Sequence, residues 1–201
     1  MAAAAQQQRV SFVGTKISAG ITEFAARLSK IDRNLALAIK SGSVQVVDFA
    51  LYNSVALNAN TTIEAFQASD DKEVGKTNIN KRQLEANTYF LVTGIQILEA
   101  NLAGANGATI DIKNAEYNVI LPEIANGEFE LKVGDKVLVP RNSMEIFRTP
   151  ASVDKRVGYY ELDCPKLITP LTDIVPWIYL PKATTNKALK IVFYGVKTNK
   201  A

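Results

Sequence analysis

Apolar residues near the start of the chain recur at helical spacing. Between residues 17 and 40, large apolar side chains are separated by alternating steps of four and three residues, which places them on one side of an α-helix. These residues are Ile17, Ile21, Phe24, Leu28, Ile31 and Leu35. Lys40 and Gly42 suit the end of a helix, so the pattern predicts an N-terminal amphipathic α-helix. Its apolar stripe either packs on the chain's own body or contacts another molecule.

From Ser43 onward the pattern changes to one typical of β-strands. Segments rich in β-branched and aromatic residues alternate with Gly, Pro, Asn and Asp, and predict eight to ten short strands. They are VQVVDFALYNSVAL, TTIEAF, LEANTYFLVTGIQILEA, TIDIKNAEYNVILP, GEFELKVGDKVLVP, SMEIF, VGYYELDCPKLITP, DIVPWIYLP and ALKIVFYGVK. In GEFELKVGDKVLVP, apolar residues alternate on both sides of Gly134-Asp135, which indicates a hairpin. The polar run QASDDKEVGKTNINKR predicts a long loop.

These elements together predict a mainly β fold, an antiparallel β-sandwich preceded by one helix. Frequent strands without intervening helices favour a sandwich over β-α-β units. Eight strands in about 160 residues fit a single jelly roll better than an immunoglobulin domain. Two domains are therefore expected: an arm with its helix at residues 1–42, and a jelly-roll β-sandwich at residues 43–201.

Charge is distributed unevenly between these two parts. The full chain has a net charge of +3, and residues 1–42 carry six basic residues against Glu23 and Asp32. A basic segment of this kind suits contact with an acidic partner such as packaged nucleic acid or anionic lipid. The basic residues of the predicted contact are Arg9, Lys16, Arg27, Lys30, Arg33 and Lys40.

Composition excludes several classes of chemistry. The chain contains no histidine, which excludes histidine-ligated metal sites and Ser-His-Asp or Cys-His catalysis. The single cysteine, Cys164, rules out an internal disulfide and is expected to be a small buried apolar residue. We find no secretory signal and no apolar run long enough to span a membrane. Carboxylate or lysine chemistry and oxygen-ligated calcium or magnesium stay open. Because the sequence carries no catalytic signature, a non-enzymatic protein without cofactor or metal is expected.

Acidic residues fall in three groups that invite a chemical interpretation. Asp70, Asp71 and Glu73 in the polar loop offer oxygen ligands for calcium, but they lack the order of an EF-hand, so a solvated acidic loop is favoured. Two further pairs, Glu128 with Glu130 and Glu161 with Asp163, are carboxylates of the kind that glycosidases use. Within each pair the residues are two apart, so a solvent-facing side of a strand explains them as well.

The segment PWIYLP carries a candidate aromatic surface. Trp177 and Tyr179 are two residues apart and share one face of a strand, where they form either a platform for sugars or bases or part of the core. Pro176 and Pro181 lack an N–H group, which predicts that this strand lies at a sheet edge.

Three segments resemble strands of the jelly-roll capsid and vertex proteins of icosahedral bacteriophages. They are TNINKRQLEANTYFLVTGIQILEA, GEFELKVGDKVLVPRNSMEIF and ALKIVFYGVKTNKA, within a resemblance that spans most of residues 43–201. The resemblance implies a virion structural protein (a capsid, vertex or capsid-associated component) that assembles in the host cytoplasm. Its partners would be copies of itself and other virion proteins, with no small-molecule substrate. Family members assemble through side-to-side contacts, often with N-terminal arms, and a chain of this length fits a single-jelly-roll vertex or minor protein.

Two other functional classes remain open. A carbohydrate-binding or adhesin β-sandwich would use Trp177 and Tyr179. A carboxylate-dependent hydrolase would need two carboxylates about 5–10 Å apart across a pocket.

Overall fold

The structure is a computed structural model that describes residue 22 and residues 24–105, 108–150 and 156–199. The predicted contact residues Arg9, Lys16, Ile17 and Ile21 lie outside the described residues. The helical elements are residues 24–28 (α1), Arg33–Lys40 (α2) and Pro122–Ala125 (α3), with a 3₁₀ helix at Met144–Phe147. The strands are Gln45–Leu57 (β1), Thr62–Glu64 (β2), Phe90–Asn101 (β3), Glu128–Val133 (β4), Lys136–Ser143 (β5), Tyr159–Ile168 (β6), Ile174–Tyr179 (β7) and Lys187–Asn199 (β8).

The strands of the described part form two four-stranded sheets. One sheet has the order β1-β8-β3-β6 and the other the order β2-β7-β4-β5. The pairs β2·β7, β3·β6, β4·β5 and β4·β7 are antiparallel. The prediction of a mainly β, antiparallel fold is therefore confirmed.

Both sheets contribute to one apolar cluster, because one side of each strand is turned inward. In β4, Phe129, Leu131 and Val133 are buried while Glu128, Glu130 and Lys132 are partly exposed. The same cluster contains β3 and β8 residues of the other sheet. The hairpin predicted around Gly134-Asp135 is confirmed, with Val133 paired to Lys136 and Gly134 at φ +55°.

Contacts along the chain divide it into two compact units. Of the described residues, those up to residue 48 and residues 196–199 belong to one unit, and those from 49 to 195 belong to the other. The boundary predicted between residues 42 and 43 stays a prediction. All residues of the apolar cluster belong to the second unit.

The single helix predicted over residues 17–40 is wrong in its described part, because residues 29–31 form a turn between α1 and α2. The Asp32 carboxylate accepts a hydrogen bond from Leu35 N at 3.0 Å and caps α2. A short acidic side chain that accepts from the backbone N–H three residues later stabilises a helix start in competition with a continuous helix. The predicted end at Lys40 is confirmed, with Gly42 beyond it at φ +78°.

Two predicted strands are also absent, although their residues are described. SMEIF forms the 3₁₀ helix, whose first turn is capped by Ser143 Oγ accepting from Glu145 N at 3.2 Å. TIDIKNAEYNVILP forms isolated bridges at Thr109 and Asn118 instead of a strand. The helix α3 was not expected, and Pro122 at its first position supplies a preset helical φ.

The predicted edge position of the Trp177 strand is wrong, because β7 lies between β2 and β4. Pro176 cannot donate, but its carbonyl accepts from Ala65 N at 2.9 Å. The Ala65 carbonyl, which Pro176 leaves without its ladder donor, accepts from Asn53 Nδ2 at 2.7 Å instead. A buried side chain thus replaces the hydrogen bond that proline removes, which lets β7 hold an interior position.

Cys164 is exposed, so the prediction of a buried apolar cysteine is wrong. The β3·β6 register shifts between Val92 and Gly94: Gly94 pairs with Glu161, whereas Val92 pairs with Lys166. Residues 162–165 therefore form an irregularity on β6, at the outside of the sheet. The tendency of free cysteines to be buried, on which the prediction depended, is overridden at this irregularity of the strand.

Candidate functional site

The outward face of β7 presents an aromatic pair. Ile174, Pro176 and Ile178 are buried, whereas Trp177 and Tyr179 are half-buried on the opposite side of the strand. Their ring centroids lie 6.5 Å apart, with an angle of 23° between the ring planes. The prediction that these two rings share one face is confirmed, and that face is turned away from the core.

Tyr179 is held in place by neighbouring charged groups. Its hydroxyl donates to Glu130 Oε2 at 3.1 Å, and the Arg141 guanidinium lies 3.9 Å from the ring centroid while also pairing with Glu128. Burial, and after it the hydrogen bond to Glu130, raises the pKa of Tyr179. Because Arg141 covers one face of the Tyr179 ring, Trp177 is the better placed of the two rings for a ligand.

A pocket of about 510 Å³ lies beside Trp177. Its wall combines residues of β1, β2, β7 and the loop after β2. Its polar lining side chains include Asn53, Glu64, Asp70 and Lys76, together with Asn58, Asn60 and Thr62. We call this cavity the Trp177 pocket. Its size falls in the range of about 300–1,000 Å³ that is usual for small-molecule sites.

Asp70 is the most constrained polar group of the Trp177 pocket. Only 7% of the residue is exposed. Its Oδ2 accepts from Asn53 Nδ2 and from Gln67 N, each at 2.8 Å, while Oδ1 lies 3.7 Å from Lys76 Nζ. The two bonds to Oδ2 fix the carboxylate, so that Oδ1 has a defined position beside the ammonium group.

The acidic loop is not assembled as a calcium site. Glu73 pairs with Lys113 at 2.9 Å, Asp71 is exposed, and Asp70 is turned into the Trp177 pocket. Across the described ranges, no three acidic or cysteine side chains are grouped to hold a metal ion. The polar loop predicted for this segment carries turns and isolated bridges.

The other predicted carboxylates lie on outward faces. Glu128 and Glu130 share one side of β4, as expected from their spacing, and are occupied by Arg141 and Tyr179. Glu161 and Asp163 are exposed on β6. Glu161 lines a second pocket of about 510 Å³ with three tyrosines, and it is the only carboxylate among the described residues of that lining.

An ion network lies next to the Trp177 pocket. Arg82 pairs with Glu64, which lines the pocket, and donates from Nη2 to Asp173 Oδ2 at 2.6 Å. Gln83 Nε2 donates to the other Asp173 oxygen at 2.5 Å. The hydrogen bonds from Gln83 and Arg82 lower the pKa of Asp173.

We expect Asp173→Asn to destabilise the chain at neutral pH by about 0.5–1 kcal/mol, a modest effect because the side chain is 34% exposed. Because the pKa of Asp173 is lower in the folded state, its ionised carboxylate stabilises the fold above the unfolded pKa of about 3.9. This stabilisation is lost as the pH falls through the folded-state pKa. Urea unfolding from pH 7 to pH 3 should therefore show the two stabilities converging below about pH 4. Asp135→Asn, at an exposed residue of the β4–β5 turn, is the control; an unchanged gap at low pH would contradict the assignment.

The structure separates the predicted assembly residues into two groups. Phe24 and Leu28 are completely buried within the chain, and Leu35 is partly buried. Ile31, in the turn between the helices, is 57% exposed. Of the predicted basic contacts, Lys30, Arg33 and Lys40 are exposed and Arg27 is half-buried. Within this segment, Phe24 and Leu28 thus support the chain's own packing, and Ile31 is accessible.

Sequence reasoning identified Trp177 but missed the rest of the pocket. The available signal was Asn53-Ser54, two polar residues inside the otherwise apolar strand ALYNSVAL. Both are buried, and a buried amide requires hydrogen-bond partners. Its partners, Ala65 and Asp70, are distant in sequence, so the pattern alone did not indicate them.

No protein-family model matches the chain, and no curated protein is significantly similar to it in sequence. Among the described residues, no helix combines the length and apolar character needed to cross a membrane.

Proposed function

We propose that the chain is a non-enzymatic structural protein of a virion, built on a single jelly roll. The observation that carries the proposal is the strand order, β1-β8-β3-β6 in one sheet and β2-β7-β4-β5 in the other. In this order β1 neighbours β8, β2 neighbours β7, β3 neighbours β6 and β4 neighbours β5. These nested pairs are what one long antiparallel hairpin produces when it is rolled so that alternate pairs enter opposite sheets.

The jelly roll narrows the functional classes that need to be considered. Viral capsid proteins, lectins and cupins share this architecture. Cupin sites depend on histidine ligands, and the chain contains no histidine. Viral capsid proteins are favoured over lectins by the resemblance of three segments to phage jelly-roll proteins and by the basic N-terminal segment.

Exposed apolar residues in the first unit supply a surface for assembly. Leu37 on α2 is 53% exposed, and Arg33 and Lys40 lie one helical turn before and after it. Leu37 is thus an exposed apolar side chain bordered by cations on α2, which we call the α2 surface, and Ile31 in the preceding turn is a second exposed apolar residue. The α2 surface suits contact with another copy or another virion protein, while Lys30, Arg33 and Lys40 contact packaged nucleic acid or anionic lipid.

We expect Leu37→Glu in the full chain to weaken self-association by at least about fivefold, because an interface residue that costs more than about 1 kcal/mol has this effect. Size-exclusion light scattering over a concentration series, with electron microscopy of the particles, measures it. Asn34→Glu adds the same charge at an exposed position of the same helix and should change association little. A wild-type chain that stays monomeric, or oligomers that survive Leu37→Glu unchanged, would count against the proposal.

A further inference from the structure

We propose that the Trp177 pocket binds a neutral pyranose sugar residue. Three features of the described residues carry this inference: a fixed carboxylate beside an ammonium group, an aromatic wall, and a rim of amide and hydroxyl side chains. Nothing in the assembly proposal depends on the pocket, because all of its lining residues belong to the unit formed by residues 49–195.

The first feature is the geometry of Asp70 and Lys76. Asn53 and Gln67 N both donate to Asp70 Oδ2, and Lys76 Nζ, at 3.7 Å, is the polar partner of Oδ1 within the described part of the chain. A sugar hydroxyl is both a donor and an acceptor, so one hydroxyl or two adjacent ones can donate to Oδ1 while accepting from Nζ. Charge-assisted bonds of this kind are stronger than neutral ones.

Trp177 supplies the second feature, the aromatic wall. The ring is half-buried on the outward face of β7 and forms part of the pocket wall. One face of a pyranose ring consists of C–H groups, and an indole offers it a large apolar surface at the side of a polar pocket. Polar groups on one side and an aromatic ring on another match the two different sides of a sugar.

The third feature is the charge and polarity of the wall, which select among sugars. Two carboxylates, Glu64 and Asp70, line the pocket against a single ammonium group, Lys76. The Arg82 guanidinium that pairs with Glu64 is shared with a further carboxylate, Asp173, so the surroundings remain net negative. An anionic sugar would place its own carboxylate near these two, which is unfavourable. Asn58, Asn60 and Thr62 are exposed at the rim and offer further hydrogen bonds. We therefore assign neutral sugars, in preference to sialylated ones.

The test uses the intrinsic fluorescence of the chain, since Trp177 is its single tryptophan. The full-length protein is titrated with galactose, mannose, glucose and N-acetylglucosamine, with sialic acid and adenosine as comparison probes, and is then applied to a glycan array. A saturable emission change with at least one neutral sugar, and array binding to glycans that end in it, is the expected result. No response to any neutral sugar, or a response to adenosine or sialic acid alone, overturns the proposal.

Variants locate the binding within the pocket. Asp70→Asn keeps an oxygen for Asn53 and Gln67 but replaces the acceptor beside Lys76, and Lys76→Met keeps the aliphatic stem without the ammonium group. Each should weaken sugar binding by about tenfold or more, as loss of a charged hydrogen bond does. Trp177→Ala, followed on the array, should abolish binding, whereas Lys72→Met, at an exposed residue outside the pocket lining, should leave it unchanged. Circular dichroism and thermal unfolding show whether each variant is folded; sugar binding that persists in folded Trp177→Ala and Asp70→Asn proteins contradicts the assignment.

Discussion

Replacing Lys187 with methionine is expected to lower the free energy of unfolding by about 3–5 kcal/mol, because it leaves a buried carboxylate without its counter-charge. Lys187 Nζ bonds both Glu99 and Glu123, and the Glu99 side chain is only 5% exposed. The other Glu99 oxygen accepts from Leu121 N at 2.8 Å. Burial acts to lower the pKa of Lys187, but the hydrogen bonds to Glu123 and Glu99 outweigh it and raise the pKa. Urea unfolding at neutral pH measures the loss.

The ion pairs of Lys187 with Glu99 and with Glu123 should contribute differently to the free energy of unfolding, because the first is buried and the second lies at the surface. Glu123 has a 51% exposed side chain, so Glu123→Gln should cost no more than about 1 kcal/mol. Glu99→Gln combined with Lys187→Met removes both buried charges, and should recover part of what the single lysine variant loses. Equal effects of Lys187→Met and Glu123→Gln would contradict the proposed role of Glu99.

Local patterns in the sequence were sufficient for much of the β structure. The β4–β5 hairpin was predictable because alternation and the Gly134-Asp135 turn are encoded within a few consecutive residues. The common face of Trp177 and Tyr179 followed from the period of a strand, which depends on backbone geometry alone. Where side chains alternate regularly along a strand, the sequence shows which of them are buried.

Interactions between distant residues decided the features that were not predictable. Pro176 indicated a sheet edge by local rules, but Asn53 satisfies the carbonyl opposite it, so β7 lies inside the sheet. The Trp177 pocket likewise needs Asn53, Asp70 and Trp177 together, three residues whose positions only the folded chain relates. The break between α1 and α2 has a local signal, because Asp32 is a good N-cap for α2. The prediction missed it because the apolar stripe continues across the break.

In the 3₁₀ helix, packing between distant residues again overrides the local strand pattern. The same packing predicts the second large destabilisation, at Phe129. A strand would have placed Met144 and Ile146 on one face, whereas the helix buries Met144 and Phe147, three residues apart. Phe147 lies edge-on to Phe129 of β4 at 5.6 Å and to Tyr160 of β6 at 6.1 Å, so it joins residues of both sheets. The aromatic contacts around Phe147 therefore link the two sheets, between β4 of one and the edge strand β6 of the other.

Phe129→Ala is accordingly expected to destabilise the chain by about 3–5 kcal/mol, through lost burial and the cavity left between the sheets. Phe129→Leu keeps most of the volume and should cost only about 1–1.5 kcal/mol. Val137→Ala, at a half-exposed residue of the neighbouring strand β5, should stay within about 0.5 kcal/mol of wild type. Urea unfolding compares the three, and a double-mutant cycle with Phe147→Leu should give a coupling of about 0.5–1.5 kcal/mol for the edge-to-face pair. A coupling near zero would mean that Phe147 does not pack on β4, and the 3₁₀ helix would lose its role in joining the sheets.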